Sequence, residues 1–203
     1  METSALKLLV LDGQGVVFKS PIRDFLLTFS REHHLDPSEV EKRWDDRVRD
    51  RAWTGAMDDH ELWQELAGKG VDGERASATH RASYEAGPAA SRLREWSNVI
   101  PIWLLSNHRT HWLIPQLDVL GVRDCFQQLL VSDQTLLVKP DPAAFRQLLR
   151  GDLAPDEILF VDDQQRNIEA AAALGLRTVL AEPGQAWLGQ VDAALSDKAR
   201  AES

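Results

Sequence analysis

The chain has 203 residues, with 23 Lys and Arg against 32 Asp and Glu, a formal net charge of −9. Hydrophobic residues make up 43% and charged residues 27%, the balance of a folded domain with a sizeable core rather than a disordered chain. The acidic surplus, with no Lys/Arg run longer than two, argues against nucleic acid or an anionic membrane as the main partner, so any phosphate ligand needs local cations or a metal. The single Cys125 forms neither an intramolecular disulfide nor a cysteine-rich metal site.

In chain order, METSALKLLVLDGQGVVF breaks its apolar run at Asp12 and shows no small-residue cleavage site. It fits neither a signal peptide nor a membrane span, and the cytoplasm is the expected location. Short, mostly continuous apolar runs at 6–11, 99–105, 126–131, 158–161 and 177–181 read as strands buried on both faces. Helical stretches at 108–120, 142–150 behind an Asp141 cap, 165–174 closed by Gly175, and 185–195 alternate with them. Such alternation predicts βαβ crossovers and a parallel, Rossmann-like α/β sheet, with 197–203 as a frayed tail.

The first crossover is far longer than one helix requires. Residues 18–98 show only helical periodicity, broken at Asp36-Pro37, Thr54-Gly55, 68–73 and Gly87-Pro88. They read as a cap of about four helices, with Ser38 and Asp58 among the N-caps, inserted into a core made of 1–17 and 99–203.

In a parallel sheet of this kind ligands bind just beyond the carboxyl ends of the strands. There the sequence sets Asp12-Gly13-Gln14, then Ser106-Asn107, Lys139 ahead of a helix, and Asp162-Asp163. Close carboxylates stay ionised together only if a cation compensates, and hard oxygen ligands select Mg²⁺. With Lys139 adding charge and Ser106 and Asn107 adding donors, the set suits a phosphoryl group, which Asp12 can attack as a carboxylate nucleophile.

These residues resemble the haloacid dehalogenase superfamily of aspartate-nucleophile hydrolases: LVLDGQGVV its first motif, LLSN its second, VKPDP its third and ILFVDDQQRNIEAA its fourth. The resemblance implies Asp12 as nucleophile and Ser106 and Asn107 on the phosphoryl oxygens. Lys139 would bridge nucleophile and phosphate, Asp163 would be the main side-chain Mg²⁺ ligand, Asp162 a second or supporting one, and the Gln14 backbone carbonyl another. It also implies a small phosphorylated metabolite as substrate and a helical cap between the first two motifs.

Phosphatases of this family usually carry a general acid/base Asp where this chain has Gln14. A carboxamide orients a water or a leaving oxygen but exchanges no proton at neutral pH, and a general acid or base is worth about 10²–10⁴-fold. Three readings stay open. One is a phosphatase whose substrate leaves easily, similar to bacterial sugar-1-phosphate phosphatases, or one that borrows a proton donor such as His108. The second is a weak or inactive member that binds a ligand or partner. The third is a dehalogenase-like hydrolase attacking carbon, which the Asp162-Asp163 pair opposes. A phosphonate-cleaving activity would need a cap lysine, and Lys42 and Lys69 lie in no recognisable motif. In the cap, Arg23, His33, His34, Trp44, Arg47, Arg49, Arg51 and Trp53 are pocket candidates, although charges three to four apart over 41–51 read mostly as a solvated helix face.

Overall fold

Five parallel strands, β1 (Leu8–Leu11), β2 (Ile102–Ser106), β3 (Gln128–Val131), β4 (Ile158–Asp162) and β5 (Arg177–Leu180), form one sheet in the order β3-β2-β1-β4-β5. The computed structural model describes residues 5–19, 22–68, 70–149 and 151–201. The strands are apolar throughout because helices cover both faces. Leu9, Leu11, Leu104 and Val161 pack on one side, and Leu8, Val10, Leu105 and Phe160 on the other. Each fully buried side chain of this size contributes about 1.5–3 kcal/mol of transfer free energy.

Alternation along the strand assigns the helices to the two layers. The first face meets α6 (Leu93–Ser97), α7 (Thr110–Val119) and α11 (Ala186–Ala201) through Leu93, Trp96, Leu113, Leu117 and Val191. The second meets α9 (Pro142–Arg146) and α10 (Gln165–Ala172) through Phe145, Ile168 and Ala171. A one-turn helix, α8 (Ser132–Thr135), follows β3. The helix expected over 142–150 gives way after Arg146 to a 3₁₀ turn, Gln147–Leu149, and position 150 lies outside the described residues. Instead of fraying at 197, α11 continues to Ala201.

Between β1 and β2 lie α1 (Ile22–Glu32), α2 (Pro37–Arg43), a π-helical turn Trp44–Val48, α3 (Arg49–Trp53), α4 (Asp59–Ala67) and α5 (Gly73–Ala82). They enclose their own apolar cluster, with Phe25, Phe29, Trp44, Trp53 and Trp63 at its centre. Ala89, Leu93 and Trp96, in the last part of the inserted stretch, pack instead with the sheet. The chain leaves and returns on two adjacent segments: Phe18 pairs antiparallel with Ala86, Lys19 N–H donates to the Glu85 carbonyl at 3.0 Å, and Gly87 N–H to the Val17 carbonyl at 2.8 Å.

One cap assignment changes. Asp36, not Ser38, caps α2, accepting from the N–H groups of Ser38 and Glu39, because Pro37 occupies the first helical position and sets the boundary one residue before it. At α7 the cap comes from another loop: Asp133 reaches across from α8 and accepts from the Thr110 N–H at 2.8 Å and hydroxyl at 2.6 Å. Asp58 and Asp141 cap α4 and α9 as expected, accepting from the N–H groups of Glu61 and Ala143.

Candidate active site

Because β1 is central, with β2 and β4 on either side, the loops beyond their carboxyl ends converge. Asp12 follows β1, Ser106 ends β2, Asp162 ends β4 and Asp163 follows it. Lys139 reaches in from the loop before α9, its Nζ 2.8 Å from Asp12 Oδ1 and 2.6 Å from Asp162 Oδ2. All three side chains are almost wholly buried, so an ionised carboxylate here needs that cation.

The two acids of the β4 end divide their work. Asp162 is saturated: besides Lys139 it accepts from the Gln164 N–H at 2.8 Å and from Asn167 Nδ2 at 2.9 and 3.0 Å. Asp163 is not, since its buried Oδ1 has no hydrogen-bond partner among the described residues. Carboxylate oxygens of Asp12, Asp162 and Asp163 lie within 4.8 Å of one another. An orphaned acceptor beside two further hard oxygen donors fits a divalent cation such as Mg²⁺. Gly15 adopts φ +81°, and a Cβ there would collide with the Asp163 carboxylate, so the loop after β1 tolerates only glycine against this acid.

Burial, aided by the neighbouring Asp162 and Asp163 charges, pushes Asp12 up to about 8 against the pull of Lys139. Asp163 is raised to about 6, by burial first and by Asp162 second. Lys139 is held above the usual lysine range, because the two carboxylates outweigh the burial that opposes its charge.

The donors are arranged less uniformly. Ser106 Oγ is buried and has no partner among the described residues, and a Cβ on Gly13 would press against it at 2.7 Å, so the hydroxyl sits directly over the residue after Asp12. The Asn107 carboxamide binds both backbone groups of Lys139, donating to its carbonyl and accepting from its N–H, each at 2.8 Å. Its side chain thus holds the lysine loop. His108 is fully buried, with Nδ1 on the Arg109 N–H at 2.8 Å and Nε2 on the Tyr84 hydroxyl at 2.7 Å. Burial lowers it to about 4, so it is neutral and carries no proton to spare for a leaving group.

A cavity of about 810 Å³ opens above Asp12, between these loops and the helical insertion. Trp44, Trp53, Arg23 and Arg49 line it, whereas His33, His34, Arg47 and Arg51 do not. Arg47 and Arg51 instead pair with Glu65 and Glu61 on the helix surface. Lys42 pairs with Asp46 and lies outside the cavity wall, and Lys69 lies outside the described residues. Among the described residues no helix is long and apolar enough to cross a membrane. The residue that sequence reasoning missed is Tyr84, on the returning segment of the insertion beside Gln14; no motif marks it.

The chain is similar to known proteins in sequence and in fold. A phosphoglycolate phosphatase from Pectobacterium atrosepticum is 35% identical over 81 residues, 39% of this chain and 35% of that protein. The chain thus spans about a third of the length of the curated relatives it matches. Among solved structures, a predicted HAD-like family hydrolase from Porphyromonas gingivalis superposes with a TM-score of 0.76 at 17% identity, covering 95% of this chain and 98% of that one. A HAD family enzyme from Bacteroides thetaiotaomicron, in complex with magnesium and inorganic phosphate, gives 0.71 at 20% identity, covering 91% and 99%. At such identities these two share the fold. The family described as haloacid dehalogenase-like hydrolase matches residues 27–175, and with that match across most of its length the chain belongs to the haloacid dehalogenase-like hydrolases.

Proposed function

We propose that the protein is a Mg²⁺-dependent phosphatase of a small phosphorylated metabolite, working through an aspartyl-phosphate on Asp12. The observation that carries this reading is the pairing of two unsatisfied groups across the Asp12–Lys139 ion pair: the bare Asp163 Oδ1 and the bare Ser106 hydroxyl. One awaits a cation and the other an anionic oxygen, and a phosphoryl group with its counterion supplies both.

Asp12, Asp163 and the Gln14 carbonyl would hold the cation, which supplies charge neutralisation to the phosphoryl oxygens. Asp12 Oδ attacks phosphorus while the P–O bond to the alcohol breaks. Lys139 holds the attacking carboxylate and faces the charge that builds on phosphorus, and Ser106 donates to a phosphoryl oxygen. Water then attacks the phospho-aspartate, releasing phosphate and restoring Asp12. Gln14 orients one of these oxygens but takes no proton, so a substrate with a stable leaving oxygen is favoured. The cavity wall on the insertion side offers Trp44 and Trp53, edge-on at 5.3 Å, and two arginines that already have carboxylate partners, Arg23 with Glu41 and Arg49 with Asp45.

The test is phosphate release with and without Mg²⁺ from sugar 1-phosphates, sugar 6-phosphates, phosphoglycolate, nucleoside monophosphates and an activated aryl phosphate. Release confined to good leaving groups, lost in Asp12→Asn and broadened in Gln14→Asp, is the expected result. Absence of release by wild type from every compound, with activity appearing only in Gln14→Asp, would overturn the phosphatase reading in favour of a binding role.

A further inference from the structure

Ser132 stands where three chain segments meet. It opens α8 directly after β3, and its side chain is buried between the loop after β2 and the end of α3. The His108 N–H donates to Ser132 Oγ at 3.0 Å, and Oγ lies 2.5 Å from the Trp53 carbonyl and 3.3 Å from the His108 carbonyl. A hydroxyl has one proton to give, and the Trp53 carbonyl is much the nearer acceptor. The bonds therefore run from the His108 N–H to Ser132 and on to Trp53.

Other contacts close the same junction. Gly55, two residues beyond Trp53, turns at φ +69°, and a Cβ there would stand 3.3 Å from the Asp133 carbonyl oxygen. The Trp53 ring lies beside the His108 ring, with centroids 5.6 Å apart and planes 30° apart. Trp53 and Thr54 line the cavity above Asp12, and so does Asn107, the residue before His108. One hydroxyl thus links the cavity wall on the insertion side to the loop that carries Ser106 and Asn107.

We propose that Ser132 is a positioning residue: its hydroxyl holds the Trp53 wall at a fixed distance from the Ser106–Asn107 loop and so sets the room for the group that leaves phosphorus. Without it the Trp53 carbonyl and the His108 N–H both lose a buried partner, which is costly, and the two segments must part to reach water. The Asn107 clasp on Lys139 is untouched, so the wall moves more than the phosphoryl donors do. The consequence for substrates rests on the phosphatase reading, whereas the hydrogen-bond chain does not.

The chain is tested without substrate. In wild type the His108 amide, which belongs to no helix or strand, should be protected from hydrogen exchange in NMR; rapid exchange overturns the proposal with no variant needed. In Ser132→Ala that protection should be lost. The ¹⁹F signal of 5-fluorotryptophan at Trp53, identified by its loss in Trp53→Phe, should shift as well, and an unmoved signal in folded Ser132→Ala overturns the proposal. Turnover tests the consequence on two phosphates that both leave easily and differ in size, acetyl phosphate and an activated aryl phosphate. Ser132→Ala should raise KM about tenfold for the aryl ester and less than about twofold for acetyl phosphate, with kcat little changed for either. An equal rise for both, or a fall in kcat alone, overturns the specificity role and leaves the phosphatase reading standing. Absence of release from either by wild type removes the phosphatase reading, and the exchange and fluorine results still decide the hydrogen-bond chain.

Discussion

Asn107 and Lys139 are joined through both ends of one carboxamide, Nδ2 on the lysine carbonyl and Oδ1 on its N–H, each at 2.8 Å. The end of β2 therefore dictates where the lysine loop runs, and the ammonium group arrives between Asp12 and Asp162 without help from its own helix. Asn107→Ala removes both bonds and leaves two backbone groups unpaired. It should cost about 1–3 kcal/mol in urea unfolding. Turnover should fall further than stability implies, because Lys139 loses its register; a variant with full kcat would show that the loop holds its shape unaided.

Lys139 itself neutralises two buried carboxylates at 2.8 and 2.6 Å. Lys139→Met keeps the length of the side chain but strands both acids and removes the ammonium that lies 5.5 Å from the centre of the Phe160 ring. Breaking a buried pair from one side costs about 3–5 kcal/mol, so the variant should be destabilised by that order at neutral pH and inactive. Asp12 sits at about 8 with the cation present and rises further without it, so the loss should grow as pH rises through that value and shrink below it. A penalty unchanged down to acid pH would mean that packing, not charge, sets the cost.

The sheet was legible in the sequence because its strands are buried on both faces and read as continuous apolar runs; each predicted strand begins or ends within a few residues of the observed one. Asp12, Ser106 and Asp163 were legible for a related reason, since in a parallel sheet the residues at the end of a strand are delivered to one edge, and Lys139 was legible from its place in VKPDP ahead of a helix. His108 was not. Beyond the strand end its direction depends on how α7 is capped, and Asp133, from another loop, starts the helix at Thr110 and leaves the imidazole buried among Trp53, Tyr84 and Trp112. Tyr84 was invisible because its hydroxyl meets His108, 24 residues further on, only when the returning segment pairs beside Phe18.

Asp163 gives a pH dependence with a definite sign. Burial raises it to about 6 from an ordinary value of 3.8, so over that interval the metal-free native state holds a proton that the unfolded chain has released. Its contribution to stability is full below the unfolded value and is lost as pH rises through about 6. In chelator, wild type should therefore lose stability relative to Asp163→Asn across this window, because the carboxamide does not titrate. Mg²⁺ must displace the same proton, so its affinity measured by calorimetry should climb over the same interval and fall in Asp163→Asn. Equal Mg²⁺ affinity in the two proteins would remove Asp163 from the metal site.

The insertion is clamped to the core through Asp59, at the start of α4. Its carboxylate accepts from Trp112 Nε1 at 3.1 Å, meets His111 Nε2 at 3.1 Å and pairs with Arg109 Nη2 at 3.2 Å, all three on or beside α7. Trp112 continues into the apolar cluster of the insertion, stacked on Trp63 at 5.7 Å. The Arg109 side chain is 7% exposed, and its Nε and Nη1 have no partner among the described residues, where Asp59 is the carboxylate paired with it. Asp59→Ala should cost about 3 kcal/mol, more than an exposed ion pair would, because the guanidinium is left buried and unpaired. Asp59→Ala combined with Arg109→Leu should recover part of that loss, since the stranded charge goes with its partner. If the double variant is no more stable than the single one, the clamp acts through the tryptophan and histidine contacts alone, and the ion pair contributes nothing that holds the insertion over Asp12.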